Sequence, residues 1–168
     1  MQDKDFLKWY ALYTKPRHEK AVERNLCSLG IEAFTPKRVL KRRWSDRVMV
    51  VEEPLFSNYC FVRTNLQEKN KIVSQKGVVD FVHFNGEYPW IREEVIDSLK
   101  ILLDNKIRLD PYPYIEIGSR VVIKKGPLKG VEGYIIEKRS NNARLVISVE
   151  AIASSVQFVV DADFVELS

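Results

Sequence analysis

The residues best suited to nucleophilic or metal chemistry are two histidines, His18 and His83, and two cysteines, Cys27 and Cys60. Their spacing argues against both. The cysteines stand 33 positions apart, with no paired ligands of the kind a tetrahedral zinc site needs. No G-x-S-x-G elbow, Walker A loop or G-x-G-x-x-G turn occurs, and Ser45-Asp46 and Ser119-Arg120 read as turns. Cys27 falls on the apolar side of a helical stretch and Cys60 lies mid-strand among aromatics, so both read as core residues. No catalytic residue, metal ligand or cofactor site follows, and the chain reads as a binding protein rather than an enzyme.

Charge offers a different chemistry. Residues 1–50 hold 12 Lys/Arg against 6 Asp/Glu, residues 51–114 hold 8 against 10, and residues 115–168 hold 7 against 7. The basic excess lies in the first third, where clustered cations gain by neutralising phosphates and releasing counterions. One group, Lys15, Arg17, Lys20 and Arg24, lies on or beside a helix. A second includes Lys41, Arg42 and Arg43 in a strand-like stretch.

The elements that position these groups are legible in the pattern. Trp9–Thr14 is rich in strand formers, and Pro16 suits the first turn of a helix. Val22, Leu26 and Leu29 fall at i, i+4, i+7, and Gly30 caps the end. Phe34–Trp44 and Arg47–Val51 read as a hairpin about Ser45-Asp46, ended by Pro54, and Leu55–Arg63 as an aromatic strand. A polar helix near Gln67–Ser74, a strand over Val78–Phe84, a turn at Asn85-Gly86 and an amphipathic helix over Glu93–Leu103 follow. This order predicts an α+β fold, an antiparallel sheet flanked by helices, over residues 1–108. Residues 109–114, with Pro111 and Pro113, read as a linker. From 115 to 168 the texture changes to glycines and short β-branched runs, which predicts a small SH3-like β-barrel. With 168 residues, 45% of them hydrophobic, the chain can build real cores. The N-terminus lacks the apolar stretch of a signal peptide and no run suits a membrane span, so a cytoplasmic monomer without membrane contact is expected.

Two sets of residues carry a family resemblance. Arg120–Ile136, with Lys125, Gly126, Pro127, Gly130 and Gly133, closely resembles the KOW motif of small barrels in transcription elongation factors and ribosomal proteins. Trp9–Tyr13, Glu53–Val62 (EPLFSNYCFV) and Lys76–Val82 (KGVVDFV) resemble three ordered blocks of the NusG N-terminal (NGN) domain. Residues 13–20 (YTKPRHEK), Arg43–Arg47 and the basic hairpin are most similar to the UpxY group, specialised paralogues related in role to RfaH.

The resemblance implies a transcription antitermination or elongation factor for particular long operons, those of polysaccharide synthesis in the UpxY case. A general NusG-type factor is the alternative, and a ribosome- or RNA-binding KOW protein a more distant one. It implies that Tyr13, Phe56, Tyr59 and Phe61 dock on the clamp helices of the largest RNA polymerase subunit, as exposed anchors. Lys15, Arg17, His18 and Lys20 would lie near the displaced non-template DNA strand, with Lys76 alongside, and Arg24 on the same basic helix face is a further nucleic-acid-binding candidate. Lys41, Arg42 and Arg43 would reach upstream duplex or nascent RNA. The KOW barrel would recruit a ribosomal protein or termination factor. Glu68-Lys69-Asn70-Lys71 stands where RfaH has a His-Thr-Thr element, so that contact does not carry over. RfaH's helical second domain is not expected here either, because Val, Ile and Gly disfavour helix.

Overall fold

The structure is a computed structural model and describes residues 7–115 and 118–167. The expectation about a leader segment concerns the chain start, of which residues 1–6 lie outside the described residues. In chain order the first half contains β1 (Lys8–Thr14), α1 (Glu19–Ser28), β2 (Glu32–Phe34), β3 (Lys37–Trp44), β4 (Arg47–Pro54), β5 (Tyr59–Thr64), α2 (Lys69–Val73), β6 (Val78–Phe81), β7 (Trp90–Ile91) and α3 (Glu93–Asp104).

β1 is the centre of the first sheet. It pairs antiparallel with β5 on one side and with β6 and β7 on the other, and β2 lies outside β5. Side chains alternate across a strand, and here each face has its own core. Tyr10, Leu12, Cys60 and Val62 pack with Val22 and Leu26 of α1 and Ile72 of α2. Trp9, Ala11 and Phe61 join Ile96, Leu99 and Leu102 of α3 on the opposite face. The expected spacing of α1 thus holds at Val22 and Leu26, while Leu29, at the helix end, is exposed.

The stretch expected as one strand from Phe34 to Trp44 is divided. Pro36, without an N–H to give a ladder, separates β2 from β3, and Pro36 O accepts the Leu55 N–H at 2.7 Å. β3 and β4 then form a two-stranded sheet of their own. The two-residue strand β7 was not legible in the sequence.

The second half is β-rich: β8 (Asp110–Tyr112), β9 (Ser119–Ile123), β10 (Glu132–Lys138), β11 (Asn142–Val149), β12 (Ser154–Asp161) and β13 (Val165–Leu167), in sheet order β13-β9-β10-β11-β12-β8. Ser119 and Arg120 open β9 rather than forming a turn. Gly126 and Gly130 have the positive φ expected of them. Gly133 has a different role: a Cβ there would lie 2.8 Å from the Val146 carbonyl oxygen, so the approach of β10 to β11 excludes any side chain.

Residues 110–112, expected within a linker, are a strand of the second sheet, with Pro111 opposite Val156. The halves are also joined by packing. Val149, Ala151 and Ile152 belong to the same hydrophobic core as Trp9, Phe61 and Leu99. Ser98 Oγ accepts the Glu132 N–H at 3.1 Å, and Arg92 meets Glu132 at 3.4 Å.

Replacing Gly133 by Ala is expected to destabilise the β-rich half by about 2 kcal/mol, the cost of overpacking a close backbone approach. The check is the midpoint of chemical denaturation; an unchanged midpoint would show that the strands can part freely at this point.

Candidate functional site

The first cation group is organised by a turn. His18 N donates to Lys15 O at 3.1 Å, with Pro16 second in the turn and Arg17 third, at φ 64°. That left-handed conformation normally favours glycine, and a side chain adopts it at a cost of about 1–2 kcal/mol. The turn is held from outside as well. Lys15 N donates to Gly77 O at 2.8 Å, and a Cβ on Gly77 would lie 2.9 Å from His18 Cβ. The bare backbone of Gly77 thereby brings Lys76 to the same surface as Lys15, Arg17 and His18. His18 Nδ1 lies 2.9 Å from Pro16 O; a carbonyl only accepts, so Nδ1 carries the proton and Nε2 of the neutral ring is an acceptor.

Lys15, Arg17, Arg24 and Lys76 are exposed, and no ion pair joins them to the described residues. Lys20 differs: it meets Glu52 Oε1 at 3.1 Å and Glu52 O at 2.9 Å, tying α1 to the base of the hairpin. The hairpin cations form a separate group. Lys41 and Arg43 are exposed without an ion-pair partner among the described residues, whereas Arg42 is bonded to Glu53, a carboxylate that Arg38 also reaches at 3.7 Å.

The aromatic residues lie beside the turn cluster, and Tyr13 is two residues from Lys15. Tyr59 stands opposite Tyr13 across the β1–β5 pair, with ring centroids 5.4 Å apart. Burial, then the adjacent Tyr13, pushes the Tyr59 phenol pKa up. Tyr59 and Phe61 share a face, as strand alternation requires. The expectation of four exposed anchors needs correction. Tyr13 is 36% exposed and Tyr59 half-buried, but Phe56 is only 6% exposed and Phe61 fully buried. Their rings pack together at 5.8 Å within the core shared with α3 and the β-rich half. A cavity of about 240 Å³ separates Leu55, Phe56 and Tyr59 from Ala153–Ser155 and Pro111-Tyr112.

Sequence reasoning missed the residue that fixes this arrangement. Glu19 is buried, and its Oε1 accepts the Asn58 N–H at 2.9 Å. Asn58 has φ 69°, and its carbonyl accepts the Thr14 N–H at 2.8 Å. One carboxylate on α1 therefore holds the turn that carries Phe56 and Tyr59 against the end of β1. A glutamate among the cations of residues 13–20 was the available signal.

Comparison with known proteins fits this geometry. The family model described as transcription termination factor nusG matches residues 7–100, more than half of the chain. The chain belongs to the NusG family. The match includes both aromatic pairs and both cation groups and stops before the β-rich half. NusG of Rickettsia bellii, a transcription termination/antitermination protein, is 23% identical over 88% of this chain and 83% of its own length. Its Borreliella burgdorferi counterpart is 23% identical over 94% and 97%. A solved structure concerned with domain interaction in Thermotoga maritima NusG aligns over 98% of this chain and 99% of that one, at 20% identity and a TM-score of 0.51, a likeness of fold. The chain is thus a NusG-like transcription termination/antitermination factor, in a family of transcription factors rather than enzymes.

The residues first considered for chemistry stand accordingly. His83 lies 3.6 Å from Asp80 on an exposed loop. Cys60 is buried, and burial pushes its thiol up to about 12. Cys27, expected in the core, is exposed instead, because the buried stripe of α1 runs through Val22 and Leu26. Among the described residues no helix is long and apolar enough to cross a membrane.

Two outcomes are expected. Iodoacetamide at neutral pH modifies Cys27 in the native protein and Cys60 only after unfolding, as counted by intact mass; rapid native labelling of both would contradict the buried position of Cys60. Glu19→Ala lowers stability by about 1–3 kcal/mol, the cost of leaving a partly buried N–H without its acceptor, and speeds amide exchange at Asn58.

Proposed function

We propose that this NusG-family chain is an operon-specific antitermination factor that binds RNA polymerase through its first half. The observation that carries the reading is the adjacency of the Tyr13–Tyr59 pair, exposed at Tyr13 and half-buried at Tyr59, to the exposed cations Lys15, Arg17 and Lys76. Tyrosines with a polar tip anchor protein interfaces well, and the cations beside them suit the phosphates of a displaced non-template strand. On this reading the tyrosines meet the clamp helices, and the buried Phe56 and Phe61 support them from the core. Lys15, Arg17, His18, Lys20, Arg24 and Lys76 track the DNA strand, and the acceptor Nε2 of His18 faces a base donor. A ligand that prefers the closed clamp stabilises it by its differential affinity and so suppresses pausing.

The operon-specific form rests on the UpxY-like residues 13–20 and the basic hairpin, and polysaccharide operons are the targets they suggest. Residues 115–168, without net charge, suit a protein partner, a ribosomal protein or a termination factor, better than ribosomal RNA.

The test is a genome-wide occupancy profile of the tagged protein against that of polymerase. Signal confined to a few long operons, downstream of their promoters, is expected; signal on most transcribed genes would replace the specialist by a general factor, and none following polymerase would remove the reading. At the residue level, Tyr13→Ala with Tyr59→Ala is expected to weaken polymerase capture by about 2 kcal/mol or more without unfolding the chain. Undiminished capture by that folded variant would overturn the anchor assignment. The tyrosines are the right positions, because Phe56 and Phe61 are core residues whose truncation would also cost stability.

A further inference from the structure

We infer that the cleft between the two halves is a binding site for a small basic zwitterion with the charge pattern of arginine. Its first-half wall stands near the start of β1, where Trp90 pairs with Tyr10, and the inference does not depend on the polymerase reading.

A cavity of about 420 Å³ opens there, within the range of about 300–1,000 Å³ that holds small ligands. Trp90 of β7 and Glu94 in the first turn of α3 line it from the first half. Arg120 of β9, Tyr134 of β10 and Glu150, in the turn after β11, line it from the second. Arg120 stands opposite Tyr134 in the β9–β10 register, so both side chains rise from one face of the sheet. Trp90 is 58% exposed, although Lys8 Nζ lies 3.8 Å from its ring centre. The ring thus already attracts a cation and keeps surface for another.

The unpaired charges select the ligand. Arg92 and Glu132, also in the lining, satisfy each other at 3.4 Å across the halves. Glu94, Glu150 and Arg120 are exposed and have no ion-pair partner among the described residues. Two carboxylates and one guanidinium therefore remain beside two aromatic rings. A polyphosphate would meet more repulsion than attraction there, and an apolar ligand would take these charges out of water without partners. A basic amino acid carries the complementary set, two positive centres and one carboxylate. Its carboxylate suits the fork of Arg120. Its ammonium and guanidinium suit Glu94, Glu150 and the exposed ring of Trp90. Held by both walls, such a ligand stabilises the joined arrangement of the halves.

The experiment titrates the full chain with L-arginine by isothermal calorimetry, at low salt because exposed charges are screened. Agmatine, which lacks the carboxylate, and citrulline, which lacks the guanidinium charge, are the controls. Saturable binding of L-arginine is expected, with agmatine and citrulline each about tenfold weaker, the worth of one charge-assisted contact. Arg120→Ala is expected to bind L-arginine and agmatine alike, and Glu94→Gln/Glu150→Gln to bind L-arginine no better than citrulline. Thermal midpoints without ligand check that both variants fold; should either not fold, the wild-type preference for L-arginine over both controls decides alone. Three results would overturn the inference: no saturable binding of L-arginine at millimolar concentration, agmatine bound by the wild type as tightly as L-arginine, or a folded Arg120→Ala that keeps the preference. None of them touches the polymerase reading, which polymerase capture tests separately.

Discussion

Strand β1 is the constraint on which the rest of the first half depends. It is hydrogen-bonded along both edges and buried on both faces, so its seven residues admit one register. Tyr10 and Leu12 belong to the helical core, while Trp9 and Ala11 belong to the core shared with α3 and the β-rich half. A slip of one residue would exchange the two sets. Toward the end of β1, Tyr13 is exposed while still paired with Tyr59 and Asp80, and the cation turn begins two positions later. The proposed binding surface lies where a fully committed strand runs out.

Beyond that point backbone contacts replace packing. Three loops meet at the end of β1: the turn of residues 15–18, the turn before β5, and Gly77. They are tied by Thr14 to Asn58, Lys15 to Gly77, and the Glu19 carboxylate to Asn58. Two of the participants, Arg17 and Asn58, have positive φ without being glycine. Such conformations persist where surrounding bonds over-determine them, and here the bonds are visible. Exposed cations, which cannot fix themselves by burial, are positioned by a strained but well-supported turn.

The sequence carried much of this. Strand alternation put Tyr59 and Phe61 on one face, Pro54 ended the hairpin, and Lys20 and Arg24 fell on the first helix, although Lys15 and Arg17, expected on its face, stand in the turn before it. What it could not carry was long-range. Whether Phe61 is an exposed anchor or a core residue depends on α3 and on residues nearly a hundred positions away, and local pattern is silent on both. Cys27 was misplaced because a helical face is wide and its buried part is set by the sheet beneath. Glu19 looked like one charge among several until its partner, 39 positions along the chain, was in view. The linker was judged from its prolines, which limit helix but allow an edge strand.

That edge strand changes where the second half begins. β8 covers the outer side of β12 along Ser155–Gln157, and Pro111 presents no N–H to a further strand. A fragment started at residue 115 would therefore not be the same sheet made shorter. It would expose a row of unpaired backbone groups on β12, the template from which strands of separate chains associate. The chain thus supplies its own edge guard from the connection between its halves, and an autonomous second half must be cut upstream of Asp110.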